Sequence, residues 1–256
     1  MQNVIVPLNA FGRDEVLENG QLFYIEPIAK AGAYGVEIRR ELLPENEKTQ
    51  QLTQIKQEIT RFGLFTVYSA PIELWKEDHQ LNKEMLTTVF EEALTLRAGW
   101  LKVSLGHFQK DQSNLNDLIN FLKQQTEIQL LVENDQTFYG GNVQNLKTFF
   151  ESALALKVPV KMTFDAGNWY YTNQSVEEAL TGLAPFVHYL HLKQVEKTQK
   201  GLVTVPLQKG QSHSWERVFN TFPAELTKAL EFPIQPIEKI KDYVMFIEQL
   251  DNEVFV

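Results

Sequence analysis

Apolar residues fall along this chain in two alternating rhythms. In one they form short, nearly unbroken runs such as IQLLVE and VKMTFD. Strands of a parallel sheet, buried on both faces, carry this pattern. The runs predict strands over Val4–Leu8, Gly35–Arg39, Leu64–Ser69, Trp100–Leu105, Ile128–Glu133, Val160–Asp165, Val187–Leu192 and Leu226–Pro233. In the other rhythm apolar residues recur every three to four positions, as one face of a helix requires. Leu52, Ile55 and Ile59 mark such a face in Asn46–Phe62, and Leu86, Val89, Phe90 and Ala93 another in Lys83–Ala98. Asp111–Gln125, Asn142–Leu156, Val176–Leu183 and Pro236–Leu250 read the same way. Strand and helix alternate about eight times, which predicts a parallel sheet with helices outside it.

At 256 residues the chain matches a single α/β domain, a (β/α)₈ TIM barrel spanning 1–256. The rival architecture is a doubly wound open sheet. It typically places a glycine-rich turn after its first strand, and VPLNAFGRDE is not one.

Charged residues on such strands break the apolar rule. Glu37 lies in the second strand, Glu133 ends the fifth, Asp165 ends the sixth, His191 is near the end of the seventh, and Glu231 falls in the eighth. Singly, each reads as a helix cap, a solvated loop residue or a satisfied core histidine. Together they converge, because neighbouring strand ends of a closed barrel share one opening, where active sites sit. Three carboxylates and an imidazole suit a hard or borderline divalent ion.

Composition narrows the chemistry. There is no cysteine, which excludes disulfides, thiolate metal sites and a cysteine nucleophile. The net charge of −9 and the lack of a basic stripe weigh against a nucleic-acid partner. No run approaches the roughly 20 apolar residues of a membrane span, and MQNVIVPLNAFGRDE lacks the pattern of a signal peptide. These features lead to the expectation of a cytoplasmic protein that contacts neither membrane nor nucleic acid.

The ordered set GAYGVEIRRE, WLKVSLG, LLVEN, FDAGNW, YLHLK and VPLQKGQSHSWERVF resembles the xylose isomerase-like TIM-barrel superfamily, in its sugar phosphate isomerase/epimerase branch. That superfamily is related to the family-2 AP endonucleases. The resemblance implies that Glu133, Asp165, His191 and Glu231 ligate one divalent metal ion (Mn²⁺, Mg²⁺, Co²⁺ or Zn²⁺). It also implies that Glu133 and Glu231 are the catalytic carboxylates, and that the chain isomerises or epimerises a small carbohydrate or sugar phosphate through an enediolate. Glu37, Lys102, Asn168, Trp169 and Lys193 are the expected substrate contacts, and a homo-oligomer is a further expectation. A dehydratase of an inosose or keto-sugar would use the same proton abstraction; an AP endonuclease and an inactive sugar-binding barrel are the remaining alternatives.

Three departures from the family pattern bear on the pocket. Asn168 stands where a histidine is usual, Lys193 and Lys197 where an arginine follows the strand-seven histidine, and Ser69 where another histidine ends the third strand. Trp75, Phe108, Tyr170, His107 and Gln208 are further candidates for the rim, whereas His79, His188 and His213 have no supporting context.

Overall fold

The computed structural model describes residues 3–208 and 214–253. Its apolar runs form strands β1 (Val4–Pro7), β2 (Gly35–Arg39), β3 (Phe65–Trp75), β4 (Trp100–Gly106), β5 (Gln129–Glu133), β6 (Val160–Asp165) and β7 (Val187–Leu192). Next come β8 (Gln194–Thr198) and β9 (Gly201–Val205), and then β10 (Thr227–Leu230). Strands β1 to β7 and β10 close into one parallel barrel, in the order β1-β10-β7-β6-β5-β4-β3-β2. This is the (β/α)₈ TIM barrel that the alternating pattern predicts.

The pleat sorts side chains to opposite faces. Ile5, Val67, Leu131, Tyr189 and Ala229 point inward with Phe65 and Trp100, and together they fill the lower barrel. Their neighbours Val4, Val36, Leu130, Val132, Phe164 and Leu190 point outward into the larger core beneath the helices. That shell includes Lys48–Phe62, Lys83–Leu96, Leu115–Leu122, Val143–Ala155, Val176–Leu183 and Lys239–Glu253. Several of these helices start where a side chain caps a free backbone N–H. Asn114 accepts from Asn116 N, Asn142 from Asn145 N and Ser175 from Glu178 N. Among the described residues no helix is long and apolar enough to cross a membrane.

Several boundaries differ from the sequence pattern, most of them by one or two residues. Strand β3 runs on to Trp75, because its register against β4 shifts between Ser69 and Glu73. Strand β10 stops at Leu230, so Glu231 sits just past the strand, although its N–H still donates to the Leu192 carbonyl at 3.1 Å. Helices shorten at Leu115–Leu122 and shift to Lys239–Glu253. An unforeseen antiparallel hairpin, β8–β9, follows directly on β7.

Gly106 closes β4 at φ +67°, where a Cβ would overlap the Trp75 carbonyl oxygen and lie 2.6 Å from Glu73 Cβ. Positive φ and close backbone approach both select glycine. Replacing Gly106 by Ala is expected to cost on the order of 2–3 kcal/mol. Urea denaturation followed by circular dichroism checks this, and an unchanged midpoint would refute it.

Candidate metal centre at the barrel mouth

All eight barrel strands run the same way, so their C-terminal ends ring one opening. The inward parity that buries Leu131 carries Glu133 into that ring, and the same alternation lifts His191 above Tyr189. Asp165 pairs in register with His191 across β6 and β7. Glu231 follows Ala229, the inward residue of β10. The result is one ligand atom each from Glu133, Asp165, His191 and Glu231, all within 4.8 Å of one another. The four expected ligands are brought together.

Beneath them lies a second charged layer. Glu37, fully buried, accepts at Oε1 from Arg39 at 2.9 Å and from Lys102 Nζ at 3.0 Å. Its Oε2 accepts from Tyr189 Oη at 2.9 Å and faces His191 Nε2 at 3.0 Å. Lys102 also donates to Glu133 Oε1 at 2.8 Å. Because Nε2 is committed to Glu37, His191 presents Nδ1 to the cluster, 2.9 Å from Glu231 and 3.2 Å from Glu133. A carboxylate behind an imidazole fixes the ring orientation and, once Nδ1 gives up its proton, holds the remaining one on Nε2.

Asp165 and Glu231 are joined by a cation. Lys193 Nζ lies 2.7 Å from Asp165 Oδ2, 2.9 Å from Glu231 Oε2 and 3.2 Å from Asn168 Oδ1. Asp165 Oδ1 accepts the backbone N–H groups of Gly167 and Asn168 at 2.7 and 2.9 Å. Glu231 Oε1 accepts from Asn9 at 2.8 Å and lies 3.5 Å from Arg39.

Protonation follows these contacts. Burial opposes the Glu37 charge, yet Lys102, His191 and Arg39 outweigh it and hold the carboxyl below the ordinary range. For His191, burial and Lys102 favour the neutral ring, but Glu37, Glu231 and Glu133 prevail and push it up to about 9. Burial drives Asp165 up to about 7 against the pull of Lys193, and the charges of Glu231 and Glu133 add to the rise. Burial also works against Glu231, but Lys193 and His191 keep it well below the usual value. A divalent cation fits this donor set. Three converging carboxylates and one oriented imidazole are hard-to-borderline ligands, and a cation would offset the burial of Asp165 and relieve the repulsion that adds to its rise.

Not every expected contact reaches the opening. Glu37 and Lys102 are buried below the ligands and act as their supports. Trp169 is also fully buried, with its ring centroid 5.5 Å from Phe164, on the helix side of β6. The short helix Asn168–Tyr171 turns it away from the mouth. Trp75 packs on Phe108 at 5.7 Å in the same way, and Ser69 is buried. Asn168 does join the site: its Nδ2 donates to the Asn134 carbonyl, and its Oδ1 accepts from Gln136 and Lys193. His107 stacks on Tyr139 at 4.0 Å, Lys197 and Gln208 are exposed, and His213 lies outside the described residues. Sequence reasoning passed over Arg39, Tyr189 and Asn9. The first two stand two residues from Glu37 and His191, so strand alternation placed them on the same inward face.

No protein-family model matches the chain, and no curated protein does either. Solved structures do. An L-ribulose 3-epimerase superposes with a TM-score of 0.70 at 12% identity, covering 99% of this chain and 96% of its own. The probable 3-DHS dehydratase of Bacillus anthracis gives 0.64 at 12%, covering 97% and 99%. Endonuclease IV of Thermus thermophilus gives 0.58 at 16%, covering 99% and 98%. The likeness is one of fold, a (β/α)₈ barrel, and it holds over nearly the whole chain.

Removing one partner of a buried ionic network strands the others. Glu37→Gln is therefore expected to cost about 3–5 kcal/mol, and Tyr189→Phe, which removes one donor, about 1 kcal/mol. Urea midpoints of the two variants check this; equal small losses would remove Glu37 from its place as the hub.

Proposed function

We propose that the chain is a metal-dependent isomerase or epimerase of a small carbohydrate or sugar phosphate, working by proton abstraction alpha to a carbonyl. One observation carries the reading: the ligand atoms of Glu133, Asp165, His191 and Glu231 lie within 4.8 Å of one another at the strand ends. These residues would hold the ion. When bound, it supplies Lewis-acid polarisation of a substrate carbonyl and offsets the charge that builds on its oxygen.

The proton chemistry belongs to the two glutamates. Glu133 stands on β5 and Glu231 follows β10, with β6 and β7 between them. Their carboxylates therefore reach the mouth from different sides. One removes the proton on the carbon next to the carbonyl, and the C–H electron pair moves into an enediolate. A proton delivered to the same carbon from the other side inverts it; one delivered to the former carbonyl carbon, with the hydroxyl proton passing from the neighbouring oxygen to the former carbonyl oxygen, moves the carbonyl. Glu133, with 15% of its side chain exposed against 9% for Glu231, is the more accessible base. Asn168 and Lys193 are the proposed substrate contacts, Lys193 reaching a hydroxyl or phosphate oxygen by releasing one of its present acceptors. The net charge of −9 weighs against a nucleic-acid backbone in this mouth.

The wild-type protein is expected to take up about one Mn²⁺, Co²⁺ or Zn²⁺ per chain, and Glu133→Gln and His191→Ala to bind each far more weakly. Incubated with ketoses and keto-acids in D₂O, it should show metal-dependent deuterium incorporation. Glu133→Gln should lower that rate by about 10²–10⁴-fold, the usual share of a positioned acid–base group. Elemental analysis and proton NMR read the two arms. No tight metal binding in wild type, or no exchange across a broad panel, would overturn the reading.

A further inference from the structure

The Lys193 ammonium is seated as a bound ion would be. It has three N–H bonds and three acceptors: Asp165 Oδ2 at 2.7 Å, Glu231 Oε2 at 2.9 Å and Asn168 Oδ1 at 3.2 Å. An ammonium has no further donors to satisfy. Two of those acceptors are carboxylates that also belong to the four-residue ligand cluster. The stem that delivers the charge has a channel of its own. A Cβ on Gly167 would fall 2.6 Å from Lys193 Cγ and 2.5 Å from Cδ. The loop after β6 thus leaves room for this side chain and for little else.

We propose that Lys193 is a resident cation of the cluster, which neutralises Asp165 and Glu231 in the metal-free protein and competes with the metal ion for them. The argument is one of charge. Asp165 and Glu231 face each other with almost no solvent, and two such carboxylates repel unless a cation stands between them. Lys193 supplies it. A divalent ion drawing on the same two carboxylates meets a positive charge already there, so it either pushes the ammonium aside or binds against its repulsion. Lys193 therefore makes the site stable when empty and weakens its hold on metal. The competition rests on the metal-binding reading above; the stabilising role stands without it.

The test uses the full chain, stripped of metal, with Mn²⁺ as the probe. Lys193→Met keeps the length and bulk of the stem and removes the charge. Without metal it should melt at a lower temperature than wild type. By isothermal titration it should bind Mn²⁺ at least tenfold more tightly. General structural damage would lower stability and affinity together, so a rise in affinity separates the two causes. Gly167→Ala leaves the ammonium in place but crowds its stem, and should shift both quantities the same way by less; it carries the test if Lys193→Met fails to fold. Equal or weaker Mn²⁺ binding by Lys193→Met overturns the competition. Should neither protein bind Mn²⁺, the metal reading fails and melting alone decides, an unchanged melting temperature overturning the role of Lys193. Adding His191→Ala to either background should abolish Mn²⁺ binding; retained binding would place the ion elsewhere and overturn the competition.

Discussion

Four carboxylates crowd together at and just below the mouth of this barrel with little solvent exposure, and the surrounding structure sets cations among them. A buried, unpaired carboxylate protonates or unfolds its site. Here the four share three cations: Arg39 from β2 on Glu37, Lys102 from β4 between Glu37 and Glu133, and Lys193 from just beyond β7 between Asp165 and Glu231. Glu37, Lys102 and Tyr189 form a lower layer without solvent contact. Glu133, Asp165 and Glu231 form an upper layer that includes the partly open Glu133. His191 spans the two, with one ring nitrogen in each. The lower layer orients the upper one, in which Glu133 is the most exposed carboxylate.

Much of this was legible in the sequence because parallel strands have such a narrow composition. An acidic or imidazole side chain ending an apolar run stands out, and Glu133, Asp165 and His191 were found that way. Glu231 was harder, since its strand is short and the residue lies just past it. The supports were missed for a different reason. Arg39 ends its strand beside Arg40 and looks like a solvated strand end until its inward parity with Glu37 is counted. Trp169 misled in the opposite sense, because proximity in sequence to Asp165 says nothing about which way the turn at Asn168–Tyr171 points its side chains. The β8–β9 hairpin has a strand-like alternation, but its two strands pair only with each other. No pattern within either strand announces that.

The fold likeness and the site teach separate lessons. Sugar epimerases, a dehydratase and an endonuclease all share this barrel, so the barrel by itself selects no reaction. What individualises the chain is the ring of side chains on its strand ends. Asn168 ties the loop after β6 to the Asn134 carbonyl, to Gln136 and to Lys193 at once. A histidine in its place would have traded that anchoring for a titratable proton. The chain has chosen rigidity at that corner.

Below the cluster, Phe65, Trp100 and Tyr189 close the barrel with interleaved rings, Trp100 lying 4.8 Å from Phe65 and 5.3 Å from Tyr189. The vessel they make has a floor and one doorway. With that end plugged by rings, the carboxylates face the strand-end loops, and the loops rather than the barrel floor border whatever approaches them.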